Sequence, residues 1–137
     1  MLAVTRRYHF PAAHVLTSSA FSPEENLRIY GKCANPAGHG HDYALEVSIS
    51  GPVDARTGSI LPRERLDEIV ESRVIARFAH HLLNDDPLFE KRVPTAENLC
   101  EVVHEQLSGA IAETGARLVR VRVEETRRNS FALGELR

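Results

Sequence analysis

The run from His41 to Gly51 constrains this chain most: His41, Tyr43, Leu45, Val47 and Ile49 alternate with Asp42, Glu46, Ser48 and Ser50. A period of two over that length is a β-strand with one face buried and the other wet. His39 is in phase with the buried face, because residues two apart on an extended chain point the same way. Two imidazoles on an apolar face are costly unless something satisfies them. Hydrogen bonds within the core would do so, and so would a metal ion. His14 follows the first strand by four residues, past Pro11, and is a candidate third nitrogen from a neighbouring strand end. Three imidazoles leave a zinc ion one open position, the arrangement of a catalytic rather than a structural site.

The same alternation marks Leu2 to Phe10, interrupted by Arg6, and Val119, Val121 and Val123, with a fourth strand expected over Phe131 to Leu136. Thr17 to Cys33 has no clean periodicity and reads as a long loop, with a helical turn at Pro23 to Ile29. Pro52 to Gly58 is turn chemistry, a hairpin loop leading into Ile60 and Leu61. Pro62 then opens a helix whose stripe is Leu66, Ile69, Val70, Val74 and Phe78. A second helix follows the N-cap Thr95, with Leu99, Cys100, Val103, Leu107, Ala110 and Ile111 on its buried side. The order ββααββ predicts an α+β fold, a four-stranded antiparallel sheet with two helices on one face.

At 137 residues and 42% hydrophobic, residues 1–137 suit a single domain. Seventeen basic against nineteen acidic side chains leave a net charge of -2, too little positive field to hold a nucleic acid. Two cysteines do not make a disulfide scaffold, which fits a cytoplasmic protein. Arg6 and Arg7 stand where a signal peptide needs an apolar run, and no segment approaches eighteen apolar residues, so membrane spanning is not expected.

Other positions carry chemistry less directly. Cys33 lies in a loop beside Lys32, a cation that favours a thiolate. Read as a zinc ligand instead, it leaves no base. Glu125 continues the inward face of Val119, Val121 and Val123, whereas Glu124 faces outward. A carboxylate there needs donors, either an arginine or the paired N–H groups of a guanidine-like heterocycle. Glu97 sits in the first turn of the second helix, where the helix dipole alone explains an acid, and His80 and His81 end the first helix.

Several segments together resemble the family of 6-pyruvoyl- and 6-carboxy-tetrahydropterin synthases, over nearly the whole chain. They are Phe10-Pro11-Ala12-Ala13-His14, Gly31-Lys32-Cys33 through His39-Gly40-His41, His80 with Leu83-Asn84, Pro94-Thr95-Ala96-Glu97-Asn98, and Glu125-Thr126. The stretch Tyr30-Gly31-Lys32-Cys33-Ala34-Asn35-Pro36, with five residues between Cys33 and His39, is more similar to the pyruvoyl branch. The resemblance implies a tunnelling fold assembled as a homohexamer, a dimer of trimers. It implies Zn2+ on His14, His39 and His41, Cys33 as the base, His80 as its proton-transfer partner, and Glu125 gripping the pterin ring. Thr95 and Glu97 would line the pocket, and Cys33 and His80 would come from different chains.

The implied reaction belongs to tetrahydrobiopterin biosynthesis, a carbon–oxygen lyase step. The pterin triphosphate substrate, 7,8-dihydroneopterin triphosphate, loses triphosphate to give 6-pyruvoyl-tetrahydropterin. The alternatives are a 6-carboxy-tetrahydropterin synthase, or a zinc- and pterin-binding homologue without synthase activity. Two departures from the family pattern stand out. Ala79 occupies the position of an aspartate before the catalytic histidine, and Gly58-Ser59-Ile60-Leu61-Pro62-Arg63 replaces the usual segment before the first helix. If the missing carboxylate is a defect, Ala79→Asp raises turnover. An unchanged rate would mean a site rebuilt around alanine with another orienting group.

Overall fold

A computed structural model describes residues 1–135. Four strands, β1 (Ala3–His14), β2 (His39–Ser50), β3 (Arg117–Thr126) and β4 (Asn129–Gly134), form one antiparallel sheet in the order β1-β2-β3-β4. Helix α1 (Pro23–Tyr30) lies in the β1–β2 connection, so the expected helical turn is a full helix. It starts with a reciprocal cap between Ser22 and Glu25 and stops at Gly31, whose φ is 58°. Helix α2 (Arg63–Val70) continues through a π-turn (Glu71–Ile75) into a last turn (Ala76–Phe78), and α3 (Ala96–Ala112) starts at the N-cap Thr95. The order ββααββ is that of the long elements, with α1 inserted.

One face of the sheet is covered. Phe10, Tyr43, Leu45, Val47, Val121 and Val123 pack against Leu66, Val70, Val74 and Phe78 of the first long helix and Leu99, Val103 and Leu107 of the second. Each of these is essentially inaccessible to water, and such burial contributes roughly 1.5–3 kcal/mol per large side chain. Arg6, which breaks the alternation, still belongs to this face. Its guanidinium reaches Asp67 of α2 in a bidentate pair at 2.7 and 3.0 Å, and the Tyr8 hydroxyl donates to the same carboxylate at 2.7 Å. The other face carries a charged ladder of Arg7, Glu46, Arg122 and Glu124.

β1 extends four residues beyond its expected end, through Pro11. The sheet order leaves β1 at the edge, and the Pro11 carbonyl points outward to accept the His80 N–H at 2.7 Å. Pro11 therefore lacks a donor only on the side where no strand pairs, which is where proline is tolerated. Ile60 and Leu61 form no strand; they pack half-buried on the core after a turn closed between Asp54 and Ser59. β4 is described to Gly134, so the expected strand end at Leu136 lies outside the described residues. No described helix is long and apolar enough to cross a membrane.

Candidate active site

The extra length of β1 builds the site. In the β1–β2 register His14 stands opposite His39, and Ala12 opposite His41, so all three imidazoles share one face at one end of the strand pair. Their Nε2 atoms form a triangle with sides of 2.9, 2.9 and 3.2 Å. His14 is completely buried, and its Nδ1 donates to the Pro94 carbonyl at 2.9 Å, with the Tyr43 hydroxyl 3.3 Å away. A carbonyl only accepts, so Nδ1 holds the His14 proton and Nε2 offers a lone pair.

Burial, only partly opposed by the Pro94 bond and reinforced by its two neighbours, pushes His14 down to about 4. Burial and His41 push His39 down, and burial does the same to His41. Three neutral imidazoles with converging nitrogens repel unless a cation sits among them, and a carbonyl-anchored Nδ1 is the usual support of a metal-bound histidine. The donor set therefore fits a metal ion. Among the described residues His39 Nδ1 is buried without a hydrogen-bond partner, so the polar contacts of that ring lie at the shared centre.

Two further groups reach this centre. The short 3-10 turn Gly31–Ala34 carries Cys33, whose Sγ lies 3.4 Å from His39 Nε2; the Cys33 carbonyl accepts the Leu16 N–H at 2.6 Å. Glu125 continues the phase of Val121 and Val123 at the point where the β3–β4 register shifts between Glu124 and Thr126, and its carboxylate reaches His14 and His41. Ligand atoms of His14, Cys33 and His39 lie within 4.8 Å of one another, and so do those of His14, His41 and Glu125. Either group is a possible metal-binding set.

The electrostatics differ from the expectation for Cys33. Burial first, and Glu125 second, push its thiol up, so the neighbouring Lys32 does not favour the thiolate in this chain. Burial also raises Glu125, against the pull of His39 and with the help of Glu97. Glu97 is thus close enough to sense Glu125, although it is exposed in the first turn of α3. Thr95 is half-buried, and its hydroxyl caps that helix through the Asn98 N–H.

His80 is not brought to Cys33 within this chain. It is exposed, with a left-handed φ of 63°, and lines a groove of about 550 Å³ along β1 with Pro11, Ala13, Gly40, His41 and Asp42. The Pro94 carbonyl gave no signal in the sequence. Tyr43 did, because its side chain is in phase with His39 and His41.

A sheet of this order with paired helices on one face and an imidazole cluster at the β1–β2 end defines a tunnelling-fold enzyme. The chain belongs to the 6-pyruvoyl tetrahydropterin synthase family, a family of lyase-type enzymes whose model matches residues 3–135. It is similar to the human protein named 6-pyruvoyl tetrahydrobiopterin synthase, at 37% identity over 127 residues, 92% of this chain and 86% of that one. It is 39% identical to the Dictyostelium discoideum protein of that name, over 92% of this chain and 90% of the relative. The solved structure of Caenorhabditis elegans 6-pyruvoyl tetrahydropterin synthase superposes with a TM-score of 0.89 at 32% identity, covering 98% of this chain and 96% of that one.

Proposed function

We propose that this chain is a zinc-dependent 6-pyruvoyl-tetrahydropterin synthase, acting as a single domain in the cytoplasm on 7,8-dihydroneopterin triphosphate. The observation that carries the reading is the convergence of three neutral Nε2 atoms, the Cys33 thiol and the Glu125 carboxylate at one strand end. His14, His39 and His41 would hold the zinc. When bound, zinc supplies Lewis acidity that makes a side-chain hydroxyl of the substrate more acidic.

The other steps belong to side chains. Glu125 accepts hydrogen bonds from the guanidine-like edge of the pterin, because no arginine pairs with it among the described residues. Glu97 and Thr95 line the approach at the start of α3. Cys33, as the thiolate that the charge of bound zinc would favour against burial and Glu125, takes a proton from a side-chain carbon, and His80 relays protons as triphosphate departs and the side chain rearranges. Since His80 lies along the β1 edge, away from Cys33 of its own chain, a second chain supplies it. That requirement, together with exposed Leu2 just before β1, Val4 on β1 and Leu133 on β4, supports the homohexamer built as a dimer of trimers.

The test is to incubate the zinc-loaded protein with 7,8-dihydroneopterin triphosphate and identify the product by mass spectrometry. The 6-pyruvoyl compound and free triphosphate are expected. A 6-carboxy product would move the chain to the other branch, and unchanged substrate would leave it a binding protein without synthase activity.

A further inference from the structure

Nothing acidic precedes His80, because position 79 is an alanine, half-buried against the core. The acids that follow are placed elsewhere. Asp86 is held by Arg77 in two bonds of 2.7 and 2.8 Å and accepts the Leu88 N–H at 2.9 Å. Asp85 lines a separate, smaller cavity with Arg77, Leu83 and Pro87, which His80 does not line.

Asp42 is placed differently. It is exposed, its carboxylate has no hydrogen-bond or ion-pair partner among the described residues, and it lines the same groove as His80. The backbone explains why. Asp42 is the register partner of Pro11, and the Pro11 carbonyl accepts the His80 N–H at 2.7 Å. The three residues therefore form one row across β2, β1 and the segment beyond its edge, and Ala13 extends this pairing by donating to the His81 carbonyl at 3.0 Å. Two strand spacings separate the first backbone of the row from the last, about 10 Å. Pro11 is the middle residue of the row, and Ala12, Ala13, Gly40, His41, His81 and Leu82 complete the lining of the groove that Asp42 and His80 share. The left-handed backbone of His80, held by the Pro11 bond, sets the direction of its side chain, a conformation that residues with a Cβ seldom adopt without a reason.

We infer that Asp42 is the positioning carboxylate of His80, filling the role that an acid at position 79 would have, so that the site is rebuilt around Ala79. A carboxylate facing an imidazole fixes its tautomer and stabilises the imidazolium formed during proton transfer. Both residues are on the same chain, so the arrangement does not depend on which chain provides Cys33. The inference rests on the synthase reading and predicts how two positions depend on each other.

The experiment compares full-length zinc-loaded wild type, Asp42→Asn, Ala79→Asp and the double variant, with zinc content measured for each. Asp42→Asn should lower kcat by roughly 10- to 100-fold with little change in KM, since the group acts mainly in the transition state. Ala79→Asp alone should change little, and in its background Asp42→Asn should cost less than about 3-fold, because one carboxylate then substitutes for the other. An Ala79→Asn background, similar in size but uncharged, should leave the Asp42→Asn loss in full. Equal losses in all backgrounds, no loss at all, or zinc released by Asp42→Asn would overturn the inference. If the wild type turns nothing over, the synthase reading fails by itself, and the ¹⁵N shifts of the His80 ring decide the remaining question. A tautomer shift in Asp42→Asn that Ala79→Asp reverses supports the pairing; unchanged shifts contradict it.

Discussion

Cys33→Ala is expected to lower kcat by about 10²- to 10⁴-fold, the usual loss when a general base is removed, while zinc stays bound. The two halves of that result separate two roles that the geometry brings close together. Cys33 Sγ is 3.4 Å from His39 Nε2, and His14, Cys33 and His39 alone would make a plausible ligand set. Three imidazoles already converge without the thiol, and a thiol spent on the metal is no longer a base. Zinc content in Cys33→Ala, measured by atomic emission beside kcat, distinguishes the roles. Loss of both together would make Cys33 a ligand.

The second large effect belongs to the imidazoles. The double variant His39→Ala, His41→Ala removes two of the three nitrogens and should release zinc entirely and abolish measurable turnover. Either single variant should weaken zinc binding by more than the roughly 10- to 100-fold typical of losing a supporting residue outside the ligand set. The fold should survive. His39 and His41 stand at the end of β2; His41 gives up only its edge contact with the Tyr43 ring, while Leu45, Val47 and Ile49 further along the strand stay buried in the core. Circular dichroism and metal analysis on the same sample check both statements. Full zinc content in the double variant would show that the metal is held elsewhere.

Much of this site is legible in the sequence, for one reason: β-strand phase carries side-chain direction. His39, His41 and Tyr43 share a face by arithmetic, and so do Val123 and Glu125. What phase could not supply was the reach of β1. Pro11 read as an end of strand, yet at a sheet edge its missing donor costs no ladder bond, so the strand continues and sets His14 opposite His39. Nor could composition show that Lys32 leaves the Cys33 thiol unaided, since burial and Glu125 act through the folded surroundings. Periodicity predicts only one turn where α1 forms because its buried residue is Asn26, whose side chain satisfies the Ser18 backbone instead of extending an apolar stripe. Asp42 looked like an ordinary outward polar residue of β2. Only the docking of the His80 segment against β1 places the two in one groove.

X-ray absorption at the zinc edge, on the loaded protein without substrate, tests the centre of this account most directly. Three nitrogen ligands at about 2.0–2.1 Å, a further light-atom ligand in the open position and no sulfur are predicted. A sulfur neighbour at about 2.3 Å would place Cys33 on the metal, remove the proposed base, and contradict the assignment of roles.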